Sequence, residues 1–128
     1  MSRYNIDFGK SSEDRACLYL REQGYKILER NYKTSYAEID IIAKHEAAVC
    51  FIEVKSRSSA EFGFPEEAVS RIKQRKIIQG AITYLKKNKL LDSKVRFDVL
   101  GISSEVPGED GGIKLIKNAF TLDGNYCY

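Results

Sequence analysis

Apolar positions along the chain change period in a way that separates helices from strands. Ala16, Cys17 and Leu20 recur at helical spacing, and Ser11 or Ser12 before Glu13 and Asp14 supplies a cap and an acidic first turn, with Gly24 as the stop. The pattern predicts a first helix from Ser12 to Gln23, with Glu13 on its apolar side and Asp14, Arg15 and Arg21 turned away. Tyr25–Tyr32, Glu38–Ala43 and Val49–Ser56 then read as three strands, the last two joined by a turn over Lys44–Ala48 and apolar on both faces. Pro65, Glu66 and Glu67 open a helical region. Its apolar face continues through Val69, Ile72, Ile77, Ile78, Ala81, Ile82 and Leu85 to about Asn88, with a break near Ser70. Val95–Ser103 and Ile113–Ala119 complete the set on either side of the loop SEVPGEDGG. Helix, three strands, helix, two strands predicts an α/β fold: a mixed five-stranded sheet flanked by helices.

Length limits this to one domain, because 128 residues with 43% hydrophobic side chains suffice for a single core. The longest apolar run, Ala47–Ile52, is far short of the about 20 residues that cross a bilayer, and the polar N-terminus lacks the apolar segment of a signal peptide. Cys17, Cys50 and Cys127 are odd in number and widely spaced, as expected of reduced thiols. These features predict a cytoplasmic protein with no membrane partner. The net charge of +3 says little, but its distribution says more. Arg71, Lys73, Arg75, Lys76, Lys86, Lys87 and Lys89 follow one another with no intervening acid.

The unexpected residues are Glu38, Asp40, Glu53 and Lys55, which sit on two runs that otherwise read as core strands. Side chains alternate along a strand, so Glu38 shares a face with Asp40 and Glu53 with Lys55. A two- or four-residue hairpin loop permits a register in which paired residue numbers sum to 93, placing Asp40 across from Glu53 and Glu38 across from Lys55. A three-residue loop without a bulge separates them. Carboxylates gathered on a half-buried sheet repel one another unless positive charge sits among them, and hard oxygen donors without nearby His or Cys suit Mg²⁺ or Mn²⁺. Such an ion polarises a phosphoryl oxygen and acidifies water, while a neighbouring lysine orients that water or offsets developing charge. The competing explanation is structural: Glu38 simply pairs with Lys55.

The segments SEDRACLYLREQGYKILERNYK, AEIDIIA, FIEVKSRSSAEFGFPEEAV, KQRK, RFDV and KNAF resemble the YraN-type family of bacterial proteins along nearly the whole chain. That family is similar to the restriction-endonuclease-like (PD-D/E-x-K) superfamily, and within it to archaeal Holliday-junction resolvases. The resemblance implies a restriction-endonuclease-like fold and metal-dependent DNA cleavage. It also implies that Asp40, Glu53 and the Val54 carbonyl hold the metal, with Glu13 as an outer or third acid. Lys55 would position or activate water, Gln74 would be the polar helix residue beside the site, and a homodimer would be expected. Ser12 and Ala37 stand where the family has glycine before its first two acids.

Lys73, Arg75 and Lys76 are candidates for tracking a phosphate backbone, or form a solvated helix face. Arg57 lies close enough to the Glu-x-Lys strand to touch a phosphate, or pairs with Glu61 or Glu66. His45 falls in the expected turn without a nucleophile motif around it, and PGEDGG lacks the residues of a P-loop. The sequence thus points to an Mg²⁺- or Mn²⁺-dependent endonuclease acting on DNA, structured or branched DNA among its candidate substrates. A nucleic-acid-binding module that cuts nothing and a protein-interaction domain are the rival readings.

Overall fold

The computed structural model describes residues 8–57, 69–103 and 112–121. They form α1 (Phe8–Glu22), β1 (Lys26–Lys33), β2 (Glu38–His45), β3 (Ala48–Arg57), α2 (Arg71–Lys87), β4 (Lys94–Ser103) and β5 (Ile113–Phe120). The sheet order is β1-β2-β3-β4-β5. Only β3 and β4 run parallel, because α2 carries the chain between them; the other neighbours are antiparallel. This is the mixed five-stranded sheet and the element order expected from the sequence.

Both faces of the sheet are covered, which is why its central strands are apolar on both sides. On one face Phe51, Phe97 and Phe120 stack in sequence, with ring centroids 5.6 and 4.9 Å apart, beneath Ile77, Ala81, Tyr84 and Leu85 of α2. On the other, Ala16, Cys17 and Leu20 of α1 pack on Ile41, Ala43, Cys50, Ile52 and Leu100. Ser70 caps α2, its hydroxyl accepting from the Lys73 amide at 3.1 Å, so the expected break at Ser70 is the true start of the helix. The opening assigned to Pro65, Glu66 and Glu67 lies outside the described residues.

Several expectations are corrected. The first helix starts at Phe8 rather than Ser12, because Lys10, Ser11 and Ser12 extend it without a breaking residue and Ser caps only where the backbone already leaves the helix. Arg15 is buried at 6% exposure, not turned to solvent. Ile72 and Ile82 are exposed: Ile72 lies far round the helix from the buried stripe, and Ile82, four residues after Ile78, sits at its margin. Gln74, Gly80 and Tyr84 fill that stripe instead. Gly80 permits a close approach, since a Cβ there would lie 3.2 Å from Thr34 Oγ1 and 3.4 Å from Ile39 Cδ1.

In the middle of β4, Asp98 is buried and satisfied from several directions. Its carboxylate accepts from Arg96 Nε at 3.0 Å, from the Tyr25 hydroxyl at 3.0 Å and from the Asn118 amide at 2.8 Å, where β5 bulges with Asn118 at φ 55°. Arg96 also reaches Nδ1 of His45, whose ring stacks on Tyr25 at 4.0 Å. His45 is therefore the last residue of β2 and part of this network, not a turn residue.

The β2–β3 turn is only Glu46 and Ala47, both left-handed at φ 50° and 67°. That backbone is the one whose twist matches two antiparallel strands, yet neither residue favours it. We expect the double substitution Glu46→Asn with Ala47→Gly to raise stability by about 1 kcal/mol, measured as a higher urea midpoint with unchanged slope; a lower midpoint would show that Glu46's exposed contacts with Arg96 and His45 matter more.

Candidate metal and phosphate site

The two-residue turn fixes the register. Paired positions run from His45↔Ala48 to Ile41↔Ile52, all summing to 93, and there the ladder ends although both strands continue. Beyond it the Asp40 carboxylate takes the place of a backbone partner: Oδ2 accepts from the Val54 amide at 2.8 Å. The expected register is therefore present, but Asp40 and Glu53 flank the point where the strands part and are not a ladder pair. Glu38 does not pair with Lys55 either; its carboxylate lies 3.8 Å from Lys33 on β1, its neighbour across that ladder.

Asp40, Glu53, Glu38, Lys73 and Lys76 line an open cavity of about 480 Å³, walled by Tyr36 at one side and Ser70 and Ile72 at the other. Burial pushes the Asp40 carboxyl up to about 7, the charges of Glu53 and Glu13 push the same way, and the Val54 amide and Lys73 oppose them. Glu13 thus acts on Asp40 from α1, and its Oε1 is buried without a hydrogen-bond partner among the described residues. Three carboxylates from α1, β2 and β3 thus share one field, in which burial and mutual repulsion at Asp40 outweigh the charge of Lys73.

Around Glu53 the balance is different. Lys73 Nζ from α2 stands 2.5 Å from Glu53 Oε1, and Lys55 Nζ stands 3.7 Å from the same oxygen. Burial lowers the proton affinity of Lys55, and the adjacent Lys73 lowers it further. Burial works against the charge of Lys73 too, but there the hydrogen bond and charge of Glu53 prevail and the proton is held more tightly. The sequence offered Lys73 as a phosphate-tracking residue or part of a solvated helix face; its Nζ lies against the Glu-x-Lys glutamate, a contact not foreseen. Its position two residues into α2, on the turn facing β3, was the available signal once the helix start was placed at Ser70.

The remaining candidates divide. Lys76 lines the cavity, whereas Arg75 is exposed on α2 outside that lining. Gln74 is fully buried and its Nε2 donates to the Val69 carbonyl at 2.9 Å, fastening the entry to α2 rather than lining the cavity. Arg57 ends β3, and its side chain, with Glu61 and Glu66, lies outside the described residues. Cys17 and Cys50 are free and buried, and burial pushes the Cys50 thiol up to about 12, far from the range of a nucleophile.

The donor chemistry fits a hard divalent cation: oxygen ligands alone, an aspartate that retains its proton unusually well, and an unsatisfied carboxylate oxygen close by. Among the described residues no three acidic, His or Cys side chains converge as a metal cage, and the ammonium groups of Lys73 and Lys55 lie against Glu53.

Fold and site together define a small α/β domain whose sheet opens at a cluster of carboxylates and lysines. The profile of uncharacterised protein family UPF0102 matches residues 12–102, and the chain belongs to that family. It is 44% identical to a UPF0102 protein of Persephonella marina over 90% of this chain and 94% of the relative. It is 47% identical to one of Desulforapulum autotrophicum over 90% and 93%, and 43% identical to one of Geobacter metallireducens over 95% and 98%. Among the described residues no helix is long and apolar enough to cross a membrane.

A carboxyl whose proton affinity rises on folding leaves the folded state with more bound protons than the unfolded chain. Stability must then fall as pH rises from about 4 to about 7. Each tenfold change in proton affinity corresponds to about 1.4 kcal/mol, reduced here by partial exposure and nearby lysines. Asp40→Asn is accordingly expected to be more stable than the parent by about 1–2 kcal/mol at pH 8, and the gap should close towards pH 4. Urea titrations at both pH values check this; a gap independent of pH would place the strain elsewhere.

Proposed function

We propose that the chain is a nuclease of restriction-endonuclease-like type that hydrolyses phosphodiester bonds in DNA, branched or otherwise structured DNA included. It would use Mg²⁺ or Mn²⁺ held by Asp40, Glu53 and the Val54 carbonyl, with Glu13 as the outer acid. The observation that carries this reading is the proton-retaining Asp40 beside Glu53 at the parting of β2 and β3, with two ammonium groups and an open cavity at hand. The cation supplies Lewis acidity towards the phosphoryl oxygen and makes water easier to deprotonate. Lys55, beside Glu53, is suited to orient the water and to offset the negative charge that develops as oxygen bonds to phosphorus and the leaving oxygen departs with its bonding pair, the water's proton passing to solvent. Lys73 can exchange Glu53 for the substrate phosphate, and Lys76, with Arg75 further out and Arg57 at the end of β3, extends positive charge along the strand. A homodimer and a cytoplasmic location accompany this reading.

A second reading draws on the same Lys73–Glu53 contact. A glutamate already neutralised by two lysines needs no metal, and a basic α2 over such a site would serve a binding module that cuts nothing.

Calorimetry with Mn²⁺ and cleavage of labelled duplex, flap and four-way DNA separate the two. The nuclease reading expects one saturable site that disappears, along with cleavage, in Asp40→Ala and Glu53→Ala. Lys73→Met removes a competing cation, so Mn²⁺ should bind about five-fold tighter while cleavage falls. Cleavage that persists in Asp40→Ala and Glu53→Ala would be contamination. Salt-dependent DNA binding with no heat from Mn²⁺ would leave the binding module.

A further inference from the structure

The cavity beside Asp40 and Glu53 has two large apolar side chains at its mouth that the hydrolysis of a phosphodiester does not need. Tyr36 is 48% exposed and Ile72 is 67% exposed, and they come from different elements. The turn bearing Tyr36 is nonetheless firmly built. Thr34 Oγ1 accepts from the amides of Tyr36 and Ala37, each at 3.1 Å, and the Thr34 amide donates to the Ala37 carbonyl at 2.9 Å. Ile72 stands on the first turn of α2, one residue before Lys73, where the Ser70 cap fixes the backbone. An aromatic and a branched aliphatic side chain are thus held partly in water on a rigid frame, lining one cavity with lysines and carboxylates.

We infer that Tyr36 and Ile72 form a seat for one unpaired nucleobase of the strand whose phosphate lies over Asp40 and Glu53. The inference rests on the nuclease reading and narrows its substrate class. Three features of the cavity agree on the occupant. Its volume of about 480 Å³ falls within the roughly 300–1,000 Å³ range of small-ligand sites. Its apolar mouth suits the flat face of a base, for which stacking on tyrosine is favourable and indifferent to base identity. Lys73 and Lys76, which line the same cavity, suit the phosphates on either side of that base. In an intact duplex both faces of a base are covered by its neighbours, so the seat selects flaps, bulges and junctions over continuous double helix. Selection then comes from the base and cutting from the carboxylates, through different residues.

The test uses the full chain and a short duplex carrying one extra, unpaired 2-aminopurine, with a fully paired duplex as control. Binding is followed by fluorescence at low salt without divalent cation, so that no cutting intervenes. The parent should bind the bulged DNA about ten-fold tighter than the duplex, with the 2-aminopurine emission quenched on stacking. Tyr36→Ala should remove both the preference and the quenching, Tyr36→Phe should keep both, and Ile72→Ala should weaken the preference. Equal affinity for the two DNAs, or a preference untouched by Tyr36→Ala and Ile72→Ala, overturns the base seat and leaves the nuclease reading standing. Failure to bind either DNA overturns both.

Discussion

The site depends on how β2 and β3 first meet and then part. A two-residue turn aligns the strands so that Asp40 and Glu53 come to the end of their ladder together, and the Asp40 carboxylate then occupies the Val54 amide that a third backbone partner would otherwise use. One residue more or less in that turn would send one acid to the face of α1 and the other to the face of α2. Parting the strands gives the carboxylates an outlet to solvent and brings Glu13 within electrostatic reach from the opposite helix. The acids are buried enough to repel strongly and open enough to be reached.

The same sheet holds a second cluster of charge with the opposite outcome. Asp98 is almost fully buried, but Arg96, Tyr25 and the Asn118 amide satisfy it, and His45 joins the group by stacking and through Arg96. Burial and the charge of Asp98 raise the Tyr25 hydroxyl further from ionisation. This cluster binds α1's exit, β4 and the β5 bulge together and has no chemistry left to offer. Around Asp40 the sum of charges is left incomplete, and a buried polar group without compensation is where a ligand gains most.

Much of this could be read from the chain. Alternation and punctuation located the five strands of the described residues, whereas the turn expected over Lys44–Ala48 is only Glu46 and Ala47, and this length decided between the registers the sequence left open. The rest needed three dimensions. Ser11 and Ser12 look like a cap, yet the helix runs through both from Phe8. Ile72 looks like core by composition and is placed at the cavity mouth by its angle on α2. Lys73 looks like one member of a basic run, and its contact with Glu53 emerges only when α2 is laid over β3. Arg15 and His45 carry charge or polarity that pattern alone assigns to the surface; both are buried, and for His45 the partners lie on β1's edge and β4, distant in sequence.

Gly80 gives the cavity a mechanical property. With no methyl group at this position, α2 rests directly on Thr34, whose hydroxyl organises the turn that carries Tyr36, and on Ile39, the residue next to Asp40. The helix wall and the turn wall are therefore joined like two jaws at one hinge pin, and the gap between them is set by an atom that is missing. Alanine at 80 would favour the helix by about 1 kcal/mol while pressing its methyl group on Thr34 Oγ1 and Ile39 Cδ1, which must yield by a few tenths of an ångström, so helix propensity and the fit of the cleft's walls are set against each other at a single carbon.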